Sequence, residues 1–106
     1  MTEWNIHPAA QMEHDELLMY FAGIGKELVT AFESHYLQYR HAICETPLLY
    51  NIRRRAVRRA NLKPRFSEHY IAYMLWREKV VILAIAHAKR RPYYWRKRIG
   101  EAQEMF

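Results

Sequence analysis

The chain has 106 residues, of which 51% are hydrophobic, so it can bury a core as a single domain over residues 1–106 and is too apolar to be disordered. Its one cysteine, Cys44, excludes an intramolecular disulfide. Because it has neither a signal-peptide pattern nor an apolar run of membrane-spanning length, the sequence predicts a cytoplasmic protein with no membrane partner.

Charge is unevenly distributed along the chain. Residues 1–50 hold two basic and seven acidic side chains, whereas residues 51–106 hold fifteen basic and four acidic ones, for net charges of −5 and +11. Most cations of the second half are arginines, whose planar guanidinium binds carboxylates and phosphates through two parallel hydrogen bonds. We therefore expect an acidic partner, either a phosphate backbone or a carboxylate-rich protein segment.

The N-terminal half predicts a short strand and two helices. Trp4 and Ile6 alternate with polar residues, which favours a strand within residues 1–7. Pro8 then begins an antiparallel helical hairpin over residues 8–46, which turns at Gly23–Gly25 and stops at Thr46–Pro47. The predicted apolar face of the first helix is His14, Leu17, Leu18, Phe21 and Ile24, and that of the second, from about Lys26 to Cys44, is Leu28, Phe32, Tyr36, Tyr39 and Ile43.

Residues 54–87 predict the three-stranded antiparallel part of a sheet. An arginine-rich segment, Ala56–Leu62, is expected near the sheet edge, and the aromatic segment Tyr70–Trp76 turns through Glu78–Lys79 into Val80–Ala86. This last run is continuously apolar and β-branched, which is typical of a central strand. The prediction is an α+β fold of order β-α-α-β-β-β, with the helical hairpin on one face of a mainly antiparallel sheet and the other face left for function.

Residues 88–106 are predicted to form a basic, aromatic C-terminal tip, with a short tail from Gly100 onward. The motif A-I-A-H-A-K-R-R-P-Y-Y-W, which begins at Ala84, resembles the terminal motif of the RelE/ParE superfamily of bacterial toxin–antitoxin toxins. In that motif a valine-rich strand ends in a His, then Arg, Pro and a Tyr-Trp pair. The order of the predicted elements is similar as well. The family motif often has a small residue between the proline and the tyrosine, where this chain has Tyr93.

The resemblance is closer to the ParE branch, whose members poison DNA gyrase, than to the RelE branch, whose members cut messenger RNA on the ribosome. It implies a bacterial toxin that binds gyrase and is neutralised by a cognate antitoxin through an acidic and apolar segment. Two interpretations stay open for the tip, since His87, Tyr94 and Trp95 could instead fix the tip onto the domain. The residues expected to bind the target or a nucleic acid are Arg58, Arg59, His87, Arg90, Arg91, Tyr94 and Trp95.

A ribosome-dependent ribonuclease is the alternative, and a non-toxic binding module is a third hypothesis. RNA cleavage requires a base, cations around the phosphorane and an acid. Lys63, His87 or a tyrosine could serve as base, Arg59 could bind phosphate, and Tyr94 could stack on a base. The residues expected to carry the reaction in that case are Lys63, Arg65, Arg90 and Tyr93. His14, His35 and His41 are interpreted as polar surface or rim positions, and no metal or small-molecule cofactor is expected.

Overall fold

The computed structural model describes residues 1–106 and confirms the predicted α+β fold, in which N-terminal helices pack on a sheet. A strand, two helices, four further strands and a third helix follow one another along the chain. These elements are β1 (Trp4–Ile6), α1 (Pro8–Ile24), α2 (Lys26–Glu45), β2 (Ile52–Arg54), β3 (Val57–Leu62), β4 (Phe66–Trp76), β5 (Lys79–His87) and α3 (Lys97–Met105).

The helical hairpin forms as its sequence predicts. His7 caps α1 because its Nδ1 accepts a hydrogen bond from the Ala9 backbone N–H at 3.0 Å, and Pro8 occupies the first helical position. Gly25 alone separates the two helices, so they return antiparallel. Most of the predicted apolar faces are buried, but Ile24, the last residue of α1, is exposed. None of the three helices combines the length and apolarity needed to cross a bilayer.

The strands lie in the order β1-β5-β4-β3-β2. Only β1 is parallel to its neighbour, β5, and every other pair is antiparallel. Residues Val80–Ala86 of β5 are all buried between β1 and β4, which confirms their prediction as an interior strand. Two boundaries differ from the prediction: β4 begins at Phe66 rather than Tyr70, and the unpredicted strand β2 covers part of the edge of β3.

The turn between β4 and β5 lies one residue earlier than predicted. Arg77 and Glu78 form it, and both have left-handed φ angles, of 51° and 66°. A two-residue hairpin turn with both central φ angles positive matches the right-handed twist of the strands, which is why the pair adopts it despite carrying side chains. The strain at Arg77 and Glu78 is tolerated because this turn sets the register of the β4–β5 hairpin.

Each face of the sheet has its own core. On the first face the helical hairpin covers a cluster that includes Phe21, Phe32, Tyr36, Ile43, Leu62, Ile71, Tyr73 and Ile82. On the second face α3 and the end of the tip cover a cluster that includes Val57, Tyr70, Met74, Val81, Leu83, Trp95, Ile99 and Ala102.

Two predictions about the C-terminal region were wrong, because α3 and the tip cover the second face of the sheet. Gly100 onward is not a tail, because it belongs to α3, and the second face of the sheet is not open. A hydrogen bond of 2.8 Å between His7 and Glu101 ties α3 to the start of α1. The predicted basic site is therefore sought at the sheet edge and on the tip rather than on the second face.

Candidate functional site

A nearly buried carboxylate on α1 fastens the tip, here residues 88–96, to the domain. The Glu13 side chain is 12% exposed and accepts five hydrogen bonds. The donors are the Ile85 backbone N–H at 3.1 Å, the Tyr94 hydroxyl at 2.6 Å, two Arg98 nitrogens at 2.9 and 3.2 Å, and Arg90 at 3.4 Å. Burial, followed by this hydrogen bond, raises the pKa of the Tyr94 hydroxyl. Tyr94 is thus held protonated as a donor and fixes the tip against α1.

Trp95 belongs to the core of the second face and not to a target-binding surface. It is 2% exposed, and its indole N–H donates to the Tyr70 hydroxyl at 3.2 Å. Its neighbours include Ile99 of α3. The expectation that Trp95 contacts a target is corrected here, and the alternative interpretation, in which the tip packs back onto the domain, holds for this residue.

His87 uses both ring nitrogens in local contacts. Its Nδ1 accepts the Lys89 backbone N–H at 3.0 Å, so Nε2 carries the proton and donates to Glu68 at 3.2 Å. Neither nitrogen is then free to abstract a proton from a substrate. The geometry favours the interpretation of His87 as a hydrogen-bonding fixture at the base of the tip.

The two neighbouring arginines of β3 have different surroundings. Arg58 donates to the backbone carbonyls of Tyr50 at 2.6 Å and Leu48 at 3.3 Å, so it holds the connector before β2 in place. Arg59 lies over the ring of Tyr70, with its guanidinium carbon 3.9 Å from the ring centroid, and its Nε donates to Asn61 at 3.0 Å. Of the two, only Arg59 lines the cleft at the edge of β3, and Arg58 holds the connector beside it.

A basic cleft of about 290 Å³ lies beside the start of β2, where the rest of β3 has no strand along its outer edge. Tyr39 of α2 forms one wall and donates its hydroxyl to the Lys63 carbonyl at 3.2 Å. Burial, with a smaller effect from Tyr39, raises the pKa of the Tyr50 hydroxyl in the same cleft. Its lining combines cations, amides and tyrosines: Tyr39, Leu49, Tyr50, Asn51, Arg53, Arg59, Asn61 and Lys63.

The four residues expected to cleave RNA are not brought together. Lys63 lines the basic cleft, and Arg65 lines a separate cleft beside Phe66. Arg90 lies on α1's side of the sheet, paired with Glu13, and the Tyr93 hydroxyl contacts the Arg53 carbonyl at 3.4 Å. The predicted set of four therefore does not share one cleft, although Lys63 lies in the basic cleft with Arg59 and two tyrosines.

Apart from Arg90, which pairs with Glu13, the cations of the sheet edge and tip lack ion-pair partners. The chain's carboxylates pair elsewhere, with histidines, with Lys79, or with Arg90 and Arg98 through Glu13. Like charges crowded together repel one another and destabilise a fold unless an anion neutralises them. Besides Arg58, which bonds to carbonyls, these cations are Arg53, Arg54, Arg55, half-buried Arg59, Lys63, Arg65, Lys89, Arg91 and Arg96. The first three, consecutive in the sequence, are named the arginine turn.

A second cleft, of about 460 Å³, lies between α1 and the end of β5, and three glutamates give it a mainly acidic lining. Its surrounding residues are Glu13, Glu16, Leu17, Tyr20, Phe21, Glu68, His69, Ile85, His87 and Arg90. His69 is packed beside Phe21 and Phe32, its Nδ1 has no hydrogen-bond partner, and its ring lies 4.9 Å from that of His87. Burial, with the charge of His87 second, lowers the pKa of His69.

Replacing His69 with phenylalanine should make the free energy of unfolding less dependent on pH under acidic conditions. The native pKa of His69 lies below the value of about 6.5 in the unfolded chain, so between the two the unfolded state binds more protons. Wild-type stability should therefore fall as the pH drops below about 6.5. Urea unfolding at pH 7.5 and pH 5 measures the effect, with exposed His41→Gln as the control. An equal pH dependence in wild type and His69→Phe would show that His69 is not its source, although His87 and Glu68 face the ring.

Sequence reasoning missed the residues that organise the site. Glu13 lies between Ala10 and Leu17 on the buried face of α1, and a charged residue on a buried face is a signal that could have identified it. Asn61 and Tyr70 carried no such signal, because their contacts with Arg59 depend on strand register.

No metal centre accompanies these clefts, since no group of three or more His, Cys, Asp or Glu side chains could hold an ion. His14 is buried rather than on the rim, because its Nε2 bonds to Glu33 at 3.0 Å and its ring packs on Tyr36. Compared with models of known protein families and with curated protein sequences, the chain matches none.

Proposed function

We propose that this chain is the toxin of a bacterial type II toxin–antitoxin system, that it inhibits DNA gyrase by binding, and that a cognate antitoxin neutralises it in the cytoplasm. The observation that carries the proposal is the set of exposed, unpaired cations along the β2–β3 edge, on a chain whose other half is acidic. Such a surface is suited to a large acidic partner. The terminal motif that resembles the RelE/ParE superfamily supplies the identity of the target.

Binding is favoured over catalysis by the positions of the titratable side chains. Lys63 is exposed and has no carboxylate or histidine in its cleft, and Arg90 is already paired with Glu13. An arginine cannot itself act as a base at neutral pH. A surface of cations without a neighbouring general base can neutralise charge but cannot transfer protons.

The antitoxin is proposed to dock on the β2 edge. Three large apolar side chains, Leu48, Leu49 and Ile52, are more than half exposed immediately before the arginine turn. The outer edge of β2 pairs with no strand, so its backbone can hydrogen-bond to an added extended segment. An acidic and apolar segment would match both the leucines and the cations, and it would cover the surface proposed to bind the target.

The test is a gyrase supercoiling reaction titrated with the purified chain. We expect inhibition, accumulation of cleaved linear DNA, and full reversal by the antitoxin. The double variant Arg54→Gln/Arg55→Gln should need about tenfold more protein for the same inhibition, a ratio equivalent to about 1.4 kcal/mol. Lys26→Gln/Lys79→Gln removes the same charge from other surfaces and should inhibit like the wild type.

Unchanged supercoiling at excess protein would contradict gyrase as the target. Cleavage would then be mapped on ribosome-bound messenger RNA with Lys63→Ala and Arg90→Ala, as the alternative ribonuclease hypothesis requires. Loss of cutting in both variants, with intact folding, would support that enzyme. No effect in either reaction, together with tight antitoxin binding, would leave the non-toxic binding module.

A further inference from the structure

Tyr93 has a backbone conformation that does not suit a tyrosine. Its φ is 58°, in the left-handed region, and the Tyr94 N–H donates to the Arg91 carbonyl at 3.2 Å. With Pro92 second and a positive φ third, residues 91–94 have the pattern of a type II turn, whose third position strongly favours glycine. A bulky side chain at such a position is a genuine conformational outlier.

Packing on the core of the second face accounts for only part of this choice of residue. Tyr93 is only partly buried, and its ring meets the edge of Trp95 at a centroid distance of 5.7 Å. Trp95 already fills the core beneath it. Glycine at position 93 would suit the turn, and Trp95 would still fill the core.

Instead, the Tyr93 side chain reaches across to the arginine turn. Its hydroxyl contacts the Arg53 carbonyl at 3.4 Å, and the Arg54 guanidinium carbon lies 5.1 Å from its ring centroid. These contacts join segments that are 40 residues apart in the sequence. Tyr93 is thus the side chain through which the tip touches β2.

The arginine turn is strained as well. Arg55 has a φ of 52°, so two of the chain's four non-glycine residues with positive φ lie on this one small surface. Residues held in sparsely populated backbone conformations cluster at functional sites, where the surroundings over-determine them. All three arginines are exposed and none has a carboxylate partner.

We propose that Tyr93 is a positioning residue, which joins the tip to the arginine turn so that Arg91 and Arg53–Arg55 form one surface for the phosphodiester backbone of a nucleic acid. Consecutive arginines on an extended edge strand, next to an aromatic ring, combine charge and stacking as single-strand binding surfaces do. The same arginines are proposed to contact gyrase, but this interaction requires no protein partner and can be measured without one.

The test measures binding of a fluorescein-labelled oligothymidylate by anisotropy over a range of salt concentrations. For a single strand, each phosphate that the protein no longer neutralises should lower the slope of log K against log salt by about 0.7. Arg54→Gln should lower it by one such step and weaken binding about fivefold. Lys26→Gln, at the exposed start of α2, should change neither quantity.

Tyr93→Gly leaves the net charge unchanged. Loss of stacking alone would therefore weaken binding without changing the salt slope, whereas displaced arginines would lower the slope. If Tyr93 holds the arginines in place, this variant should lower the salt slope by at least about 0.7. Its thermal midpoint should stay close to that of the wild type, because relief of the turn offsets the ring packing that is lost. Tyr93→Phe keeps the ring contact with Arg54 but loses the hydroxyl contact with the Arg53 carbonyl, so its salt slope should lie between those of the wild type and Tyr93→Gly. An unchanged slope in Tyr93→Gly would overturn the positioning role, even if affinity fell.

Two other results would also overturn the proposal. If Tyr93→Gly unfolds at a clearly lower temperature and Tyr93→Phe does as well, the residue is structural. If a polyglutamate peptide binds more tightly than the oligonucleotide and is weakened by the same variants, the surface is for an acidic protein. Since gyrase is absent from the assay, failure here leaves the supercoiling result intact, and the reverse also holds.

Discussion

Replacing Glu13 with glutamine is expected to lower the free energy of unfolding by about 3 kcal/mol. The carboxylate accepts hydrogen bonds from Arg98, Tyr94 and the Ile85 N–H in a nearly buried position. Glutamine keeps the shape but removes the charge and half of the acceptor capacity, so the Arg98 guanidinium, itself 16% exposed, loses its only carboxylate. Urea unfolding followed by tryptophan fluorescence measures the loss.

Glu16→Gln is the matched control for this change. Glu16 lies on the exposed face of the same helix and makes no ion pair, so its replacement should change the free energy of unfolding by less than about 0.5 kcal/mol. A double-mutant cycle with Arg98→Gln should show strong coupling, because the two residues share hydrogen bonds. Equal stability of Glu13→Gln and Glu16→Gln would show that Glu13 does not anchor the tip.

The elements that depend on local pattern were the predictable ones. The face formed by Phe32, Tyr36 and Ile43 repeats at helical spacing, and it is buried as that spacing requires. The seven apolar residues of β5 likewise could only be satisfied inside a sheet. In both cases burial follows from the periodicity of the chain itself, so the sequence alone was sufficient.

The third helix could not be found in the same way. Residues 97–105 have only Ile99 and Ala102 buried, and Gly100 lies between them, so neither helix propensity nor an apolar stripe identifies the segment. The helix is stabilised by contacts made elsewhere: Glu101 bonds to His7, and Arg98 bonds to the Leu83 carbonyl and to Glu13. Tertiary context of this kind cannot be deduced from a short, polar stretch.

The candidate site was predictable in charge but not in geometry. The excess of arginine indicated a basic surface in the second half of the chain. Which arginines remain free depends on individual acceptors: Arg58 is used by the Tyr50 carbonyl and Arg90 by Glu13, whereas Arg54 has no carboxylate. The residue type gives the number of hydrogen-bond donors, and only the fold decides whether they are already occupied.

Replacing Trp95 with alanine should lower the free energy of unfolding by about 3 to 5 kcal/mol. The ring is among the largest fully buried side chains, and its loss would leave a cavity under the tip and an unpartnered Tyr70 hydroxyl. Far less of the variant should then be folded, which chemical denaturation would measure.

Trp95→Phe separates this structural role from a contact with the target. It retains most of the buried ring area and loses only the indole N–H, so it should remain folded and keep any growth arrest that the wild type causes. If Trp95→Phe were fully folded yet inactive, the indole would have to reach a partner, which its 2% exposure does not permit without release of the tip. Such a result would mean that the tip leaves the sheet when the protein acts, and Glu13 would then control that release.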